Sequence, residues 1–169
     1  MKRPIIGGLL LAVAALALTG AVATAGGEKT FGARLGGFQE VPAISTSGHG
    51  MFEATVEDDG LHFTLSYWGL TAPAVQSHIH LGRTATNGGV SAFLCGAEGD
   101  EACPSGASGR VTVSGVITAD DVIGPTAQGI EPGELKEILA AMDANATYVN
   151  VHTGTYPSGE IRGNVREPR

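Results

Sequence analysis

The sequence lacks a run of lysine and arginine, a second long apolar segment beyond its N-terminus, and the short motifs of common hydrolases. Without a basic run, and with a formal net charge of −7, the chain has no predicted surface for nucleic acid or an anionic membrane. It contains no G-x-S-x-G elbow, no P-loop and no H-E-x-x-H pair, so those hydrolase chemistries are not indicated.

The N-terminal region has the three parts of a secretory signal. Lys2 and Arg3 precede an apolar run over residues 5–18, and Ala23-Thr24-Ala25 has the pattern that signal peptidases recognise. The alternative is a retained anchor, but a spanning helix needs about 20 predominantly apolar residues and this run is shorter. We therefore predict a signal peptide over 1–25, with cleavage after Ala25. The mature chain is expected to be secreted or extracytoplasmic, with no membrane span.

The remainder predicts a single acidic domain. Residues 1–25 hold two basic and no acidic residues, so the mature chain has 17 acidic and 8 basic residues and a net charge of −9. Its length of 144 residues suits one domain with one core, which we place at 29–166. The expected partner is an extracellular or envelope ligand of unspecified chemistry and not a nucleic acid.

The two cysteines, Cys95 and Cys103, enclose a short polar stretch. In an exported chain two cysteines normally pair, and a bridge here would contribute about 2–3 kcal/mol in the chain-entropy model. Free thiols are the alternative. A metal site at the cysteines is less favoured, because no histidine lies nearby in sequence.

Alternating apolar and polar residues predict strands throughout the mature chain. The two clearest runs, 50–57 and 61–68, are separated by Asp58-Asp59-Gly60, which is typical of a hairpin turn. One segment differs, because Leu135, Ile138, Leu139 and Met142 have helical spacing. We predict an all-β, antiparallel fold, a β-sandwich or Greek-key barrel, with one short helix near residues 132–143. The other predicted strands are 31–38, 75–81, 89–94, 110–117, 147–152 and 161–165.

Histidines provide the sharpest chemical signal. His78 and His80 lie two apart on a predicted strand, so they share a face about 7 Å apart along the backbone. His152 lies on the polar face of another strand. If the two strands are neighbours, these imidazoles form a candidate site for copper or zinc, with His62 as an additional member. The alternative is that they are ordinary polar residues of a solvated face.

Near the C-terminus, Glu160 and Arg162 alternate with Ile161. Their spacing predicts a surface ion pair, which would contribute only about 0–1 kcal/mol. Arg162 is also a candidate for steering an anion towards a nearby site.

Four separated motifs resemble the signature of the CHRD domain family. They are G-F-Q-E-V-P at 37–42, H-I-H-L-G at 78–82, Y-V-N-V-H-T at 148–153 and P-S-G-E-I-R-G at 157–163. The resemblance covers 29–166. It implies an extracellular β-sandwich-like domain and no particular biochemical activity.

The chain is also similar, more faintly, to the copper-zinc superoxide dismutases. That resemblance implies copper positions at His78, His80 and His152, and an anion-guiding role for Arg162. Residues 83–95 contain no histidine, so the bridging ligand and the zinc cluster of that family have no counterpart.

Three functions are consistent with these patterns. They are a secreted, non-catalytic binding module, a copper- or zinc-binding protein of the cell envelope, and a redox enzyme of the dismutase type. Because fold does not imply function, the spatial arrangement of the histidines discriminates among them.

Overall fold

The computed structural model describes residues 28–96 and 101–168, and the predicted signal peptide lies outside the described residues. Eight strands and one α-helix form the domain, together with three single turns of 3-10 helix. The strands are β1 (Thr30–Gly36), β2 (His49–Glu57), β3 (Gly60–Trp68), β4 (Ala74–Leu81), β5 (Val90–Cys95), β6 (Val111–Ile117), β7 (Thr147–Thr153) and β8 (Ile161–Asn164), and the helix α1 is Leu135–Asp143.

All eight strands belong to one antiparallel sheet in the order β5-β4-β7-β8-β1-β2-β3-β6. The sheet is nearly closed, and residues of its two edge strands, β5 and β6, line a common cavity. The predicted all-β antiparallel class with one helix is confirmed. A single curling sheet of this kind is closer to a barrel than to two packed sheets.

The hairpin predicted from the Asp-Asp-Gly sequence is present. In the β2–β3 pairing Glu57 lies opposite Gly60, so Asp58 and Asp59 form a two-residue turn. On these strands the alternate residues Phe52, Ala54, Leu61, Phe63 and Leu65 are buried in the core. The alternation in sequence therefore predicts the inner face of the sheet correctly, as the two-residue period of a strand requires.

The helix begins later than the sequence predicts. It was expected near residue 132, but α1 starts at Leu135 because Gly133 has a φ of 91°, which a right-handed helix cannot contain. Ile138 and Met142 are buried against the core, as their spacing predicts. Among the described residues, no helix has the length and apolar character to cross a membrane.

Cys95 and Cys103 form a disulfide, as predicted, with 5.1 Å between their Cα atoms. The bridge links the end of β5 to the segment that begins at residue 101. That segment is also fixed to the core, because the Tyr67 hydroxyl donates to the Pro104 carbonyl at 2.6 Å. The Ala74 amide donates to the Ser105 carbonyl at 2.9 Å.

The Glu160 carboxylate joins two loops to the end of β7 beneath the surface. One oxygen accepts from the Thr46 hydroxyl at 2.6 Å and the Thr71 amide at 2.9 Å. The other accepts from the hydroxyls of Thr71 and Thr153, both at 2.8 Å. The predicted surface pair with Arg162 is wrong, because both side chains are fully buried and each bonds to other partners. The sequence hides this, since the three threonines are distant along the chain.

We predict that Glu160→Gln lowers the free energy of unfolding at pH 7 by about 2–3 kcal/mol, measured by urea unfolding. Burial alone would raise the pKa of Glu160. The four hydrogen bonds to the ionised carboxylate have a larger, opposite effect and hold the pKa below its usual value. The ionised Glu160 side chain therefore stabilises the fold above the pKa that this residue has in the unfolded chain, near 4.5. This stabilisation is lost as the pH falls below that value. Glu53→Gln, an exposed change on β2, is the matched control; equal losses in both variants would contradict the prediction.

Candidate metal centre

Strands β4 and β7 are hydrogen-bonded neighbours, which is the condition for the predicted histidines to meet. In their register His78 lies opposite Asn150, His80 opposite Tyr148 and Gln76 opposite His152. Side chains of directly opposed residues point to the same face of a sheet. The three histidines therefore share the outer face of the sheet, whereas Ile79, Val149 and Val151 occupy the inner face and are fully buried.

The three imidazoles form one compact cluster, called here the histidine trio (His78, His80 and His152). One ring nitrogen from each lies within 4.8 Å of the others. His78 Nδ1 is 3.1 Å from His152 Nε2, and the centres of the His78 and His80 rings are 5.3 Å apart. The trio is buried, with 4%, 7% and 9% of the respective residues exposed.

Backbone carbonyls from two loops fix the protons of two of these rings. His80 Nδ1–H donates to the Gly88 carbonyl at 2.9 Å, and His152 Nδ1–H donates to the Pro157 carbonyl at 2.9 Å. A neutral imidazole carries one N–H, so Nε2 of each ring has a free lone pair. Such a carbonyl contact is the usual way in which a metal-binding histidine is oriented.

Tyr148 supports the trio from the side. Its ring is stacked on the His80 ring, with 4.7 Å between centres and 3° between planes. The guanidinium carbon of Arg162 lies 3.6 Å from the centre of the Tyr148 ring. On the opposite side of the trio, Phe93 meets the His78 ring edge-on at 4.5 Å. These aromatic contacts hold the imidazoles in position and separate them from solvent.

Arg162 is fully buried under the loop that follows β4. It donates to Asn87 Oδ1 at 3.0 Å, to the Arg83 carbonyl at 3.3 Å and to the Thr86 carbonyl. The guanidinium thus holds the 83–87 loop over the site. Its predicted anion-steering role remains a prediction.

Burial makes the trio neutral. It lowers the pKa of His78 to about 3, with the neighbouring His152 and His80 adding to the effect. Burial also lowers the pKa of His80 and of His152. Three uncharged imidazoles with free lone pairs are ligands ready for a metal ion, since a protonated ring cannot bind one.

Glu40 adds a buried carboxyl near the trio. Burial raises its pKa to about 7, although the positive charge of Arg162 partly opposes the rise. A Cβ added at Gly159 would lie 2.6 Å from Glu40 Oε1 and 2.9 Å from Asn150 Nδ2, so both polar groups approach that glycine closely. Gly159 also has a φ of 121°, which favours glycine.

Buried polar atoms without partners are concentrated here. Among the described residues, six buried side-chain nitrogen or oxygen atoms have no hydrogen-bond partner, and four belong to His78, His80, Glu40 and Arg162. The two histidine atoms are Nε2 in both cases. Buried polar groups are normally hydrogen-bonded, so these atoms have room for a partner that the protein itself does not supply, an ordered water or an ion.

The spacing fits a copper or zinc ion. These metals bind imidazole nitrogen at about 2 Å, so two ligand atoms on one ion are at most about 4 Å apart. The His78–His152 pair already satisfies this limit at 3.1 Å. The third nitrogen lies within 4.8 Å of both, so closing the site requires a shift of about an ångström.

The structure does not bring His62 to the trio. His62 lies on β3, where its Nε2 is 2.7 Å from Asp59 Oδ1 and 3.7 Å from Glu57 Oε2. Strand β3 pairs with β2 and β6, so it is not a neighbour of β4 or β7. The ion pair explains why His62 is polar without making it a fourth ligand.

Sequence reasoning did not identify Asn150, Tyr148 or Glu40 as site residues. The two-residue period of β7 contains the signal for Asn150 and Tyr148, because both alternate with the core valines. No local signal marks Glu40, since it comes from a loop more than 100 residues before β7.

The fold and this cluster define an all-β domain with a histidine site beneath its loops. The chain matches the family model of the CHRD domain over residues 31–165, most of its length, and it belongs to that family. No curated protein and no solved structure matches the chain.

We predict that the metal-free protein loses stability as pH falls from about 6.5 towards 3. The unfolded chain takes up a proton at His78 near pH 6.5, whereas the folded chain keeps His78 neutral down to about pH 3, so unfolding is favoured by up to about 1.4 kcal/mol per pH unit for this proton. The lowered pKa values of His80 and His152 act in the same direction. His78→Gln removes one such proton and should reduce the slope in urea unfolding at a series of pH values. The exposed change His49→Gln serves as control. An unchanged slope in His78→Gln would refute this assignment.

For Glu40 the sign is opposite. Because its folded pKa is raised to about 7, the folded state holds a proton that the unfolded chain releases near 4.5, and stability falls as pH rises between these values. Glu40→Gln should therefore gain stability relative to wild type across that window, by about 2–3 kcal/mol in total. The gain should level off above about pH 8. A constant difference from pH 4 to 8 would disprove it, and Glu137→Gln, an exposed change on α1, is measured alongside as the control.

Proposed function

We propose that this chain is a secreted, non-catalytic binding protein for a copper or zinc ion, held by His78, His80 and His152. The observation that carries the proposal is the convergence of three buried, neutral imidazoles whose Nε2 atoms do not bond to backbone. The proposal thus names a metal ion as the ligand of the predicted binding module.

The alternative is that these histidines have only a structural role, but this explains the contacts of only one of the two nitrogens in a ring. The Nδ1 atoms of His80 and His152 bond to loop carbonyls, which is a structural role. The Nε2 atoms of His78 and His80 are nevertheless buried and have no partner in the part of the chain that the structure describes. For His80, whose Nδ1–H bonds to the Gly88 carbonyl, a metal ion bound at Nε2 removes the cost of about 1–3 kcal/mol that an unsatisfied buried atom carries.

The ligand set favours copper or zinc over other ions. Imidazole suits both metals, whereas magnesium and calcium require oxygen ligands. Both cysteines are in the disulfide, so thiolate does not contribute. Three protein nitrogen ligands leave at least one further position on the ion.

Secretion is supported by three separate features. The N-terminal 25 residues have the pattern of a cleavable signal peptide. The disulfide between Cys95 and Cys103 is of a kind that persists in oxidising compartments. The family is one of extracellular domains.

Binding without catalysis is favoured over dismutase chemistry. The only other group of potential metal ligands among the described residues is Glu57, Asp59 and His62, which lies on the distant β2–β3 hairpin. No second ion would therefore sit beside the first. The loops that supply Gly88 and Pro157 also restrict access to the trio.

The proposal is tested by metal loading of the mature chain. Wild type and a variant with His78, His80 and His152 all changed to Ala are titrated with Zn²⁺ and Cu²⁺, and bound metal is measured after gel filtration. We expect one ion per chain in wild type and none in the triple variant. Metal at 100 times Kd should also stabilise wild type by about 2.7 kcal/mol.

The matched control is the double variant His49→Ala and His62→Ala, which removes two exposed or ion-paired histidines outside the trio. It should bind as wild type does. Because the triple variant truncates three buried side chains, His152→Gln is titrated as well, and circular dichroism verifies the fold of each variant. Equal metal content in wild type and the folded trio variants would overturn the proposal.

In a parallel assay, superoxide consumption by the copper-loaded protein should not exceed that of free copper.

A further inference from the structure

The proton positions around His152 leave one contact that hydrogen bonding does not explain. His152 Nδ1–H donates to the Pro157 carbonyl, so in the neutral ring Nε2 carries only a lone pair. Two atoms approach this nitrogen. His78 Nδ1 lies at 3.1 Å, and Asn150 Oδ1 lies at 3.0 Å.

These two neighbours differ in character. In the metal-free protein His78 Nδ1 carries the proton and donates it to His152 Nε2, so metal binding by this pair requires that proton to move to His78 Nε2. Asn150 Oδ1 is an acceptor only. At 3.0 Å, one of its lone pairs therefore faces the lone pair of His152 Nε2. Two acceptors at this distance repel, unless a positive ion lies between them or beside them and attracts both.

The surroundings of Asn150 explain why its oxygen points towards the imidazoles. Asn150 is buried, with 3% exposed, on the β7 position opposite His78. Its Nδ2 lies on the side of Gly159, the glycine that Glu40 Oε1 also approaches. Nδ2 therefore faces away from the trio, and the opposite end of the amide, Oδ1, is directed at it.

We propose that Asn150 supplies a fourth ligand through Oδ1 and completes a site of three nitrogens and one oxygen. This inference rests on the proposed function of the trio and identifies the ion as divalent, Zn²⁺ or Cu²⁺. Monovalent copper prefers soft sulfur ligands, and an amide oxygen is a hard one.

The test uses the mature chain with Co²⁺ and Zn²⁺ as probes. The visible absorption of bound Co²⁺ reports the number and type of ligands, and competition with a chromophoric chelator gives the Kd for Zn²⁺. Asn150→Ala should weaken Zn²⁺ binding by about 10–100-fold and change the Co²⁺ spectrum. Asn164→Ala, which changes an asparagine on the adjacent strand β8, should leave both at the wild-type values.

Asn150→Asp guards against a variant that fails to fold, because it keeps an oxygen at the same position. Its affinity for Zn²⁺ should equal or exceed that of wild type at pH 7.5, with a similar Co²⁺ spectrum. If the amide instead donates Nδ2–H to His152 Nε2, Asn150→Ala should bind metal as tightly as wild type or more tightly. That outcome, or a tenfold loss in a folded Asn150→Asp, would overturn the inference.

The two proposals fail in distinguishable ways. Wild type that binds neither probe would overturn the metal-binding function and this inference together. Binding that is lost in the histidine variants but has the same Kd and spectrum in wild type and Asn150→Ala would overturn only the role of Asn150.

Discussion

The register between β4 and β7 is the constraint on which the rest of the site depends. It places His78 opposite Asn150 and His80 opposite Tyr148, and it brings His152 beside them. A slip by one residue would turn the imidazoles into the barrel and the core valines of β7 outward. The burial of Val149, Val151 and Ile79 therefore also holds the histidines on the outer face, because the two faces of a strand cannot shift independently.

Polar groups are buried on that face in two contrasting ways. Glu160 satisfies both carboxylate oxygens with four hydrogen bonds and ties two loops to the end of β7. Around the trio, by contrast, His78, His80 and Glu40 each retain an atom without a partner among the described residues. A buried network in which every polar atom has a hydrogen-bond partner stabilises the fold. A network in which some atoms lack a partner still has atoms that a ligand could contact. This contrast, more than the presence of histidine, distinguishes the candidate site from its supports.

The loops over the trio are part of the site. Gly88 and Pro157 provide the carbonyls that orient His80 and His152, and Arg162 holds the 83–87 loop in place. The stack of His80, Tyr148 and Arg162 links the imidazoles to that loop. Burial by these loops lowers the histidine pKa values, so the same packing that orients the rings keeps them neutral.

The sequence by itself determined the local features. The two-residue alternation identified the β2–β3 hairpin and the shared face of His78 and His80, and the presence of two cysteines in a chain expected to be exported indicated their disulfide. The helical period identified α1, although the left-handed Gly133 delayed its start. Each of these follows from interactions within a few residues or from a single pairing.

Only the tertiary structure decided which strands are neighbours and which loops cover them. The sheet order separates His62 from the trio and unites β4 with β7, although 65 residues lie between Leu81 and Thr147. It also buries Glu160 and Arg162, which the alternation alone placed on the surface. Local periodicity specifies which side of a strand is polar, but whether that side meets water, a loop or another polar side depends on long-range packing.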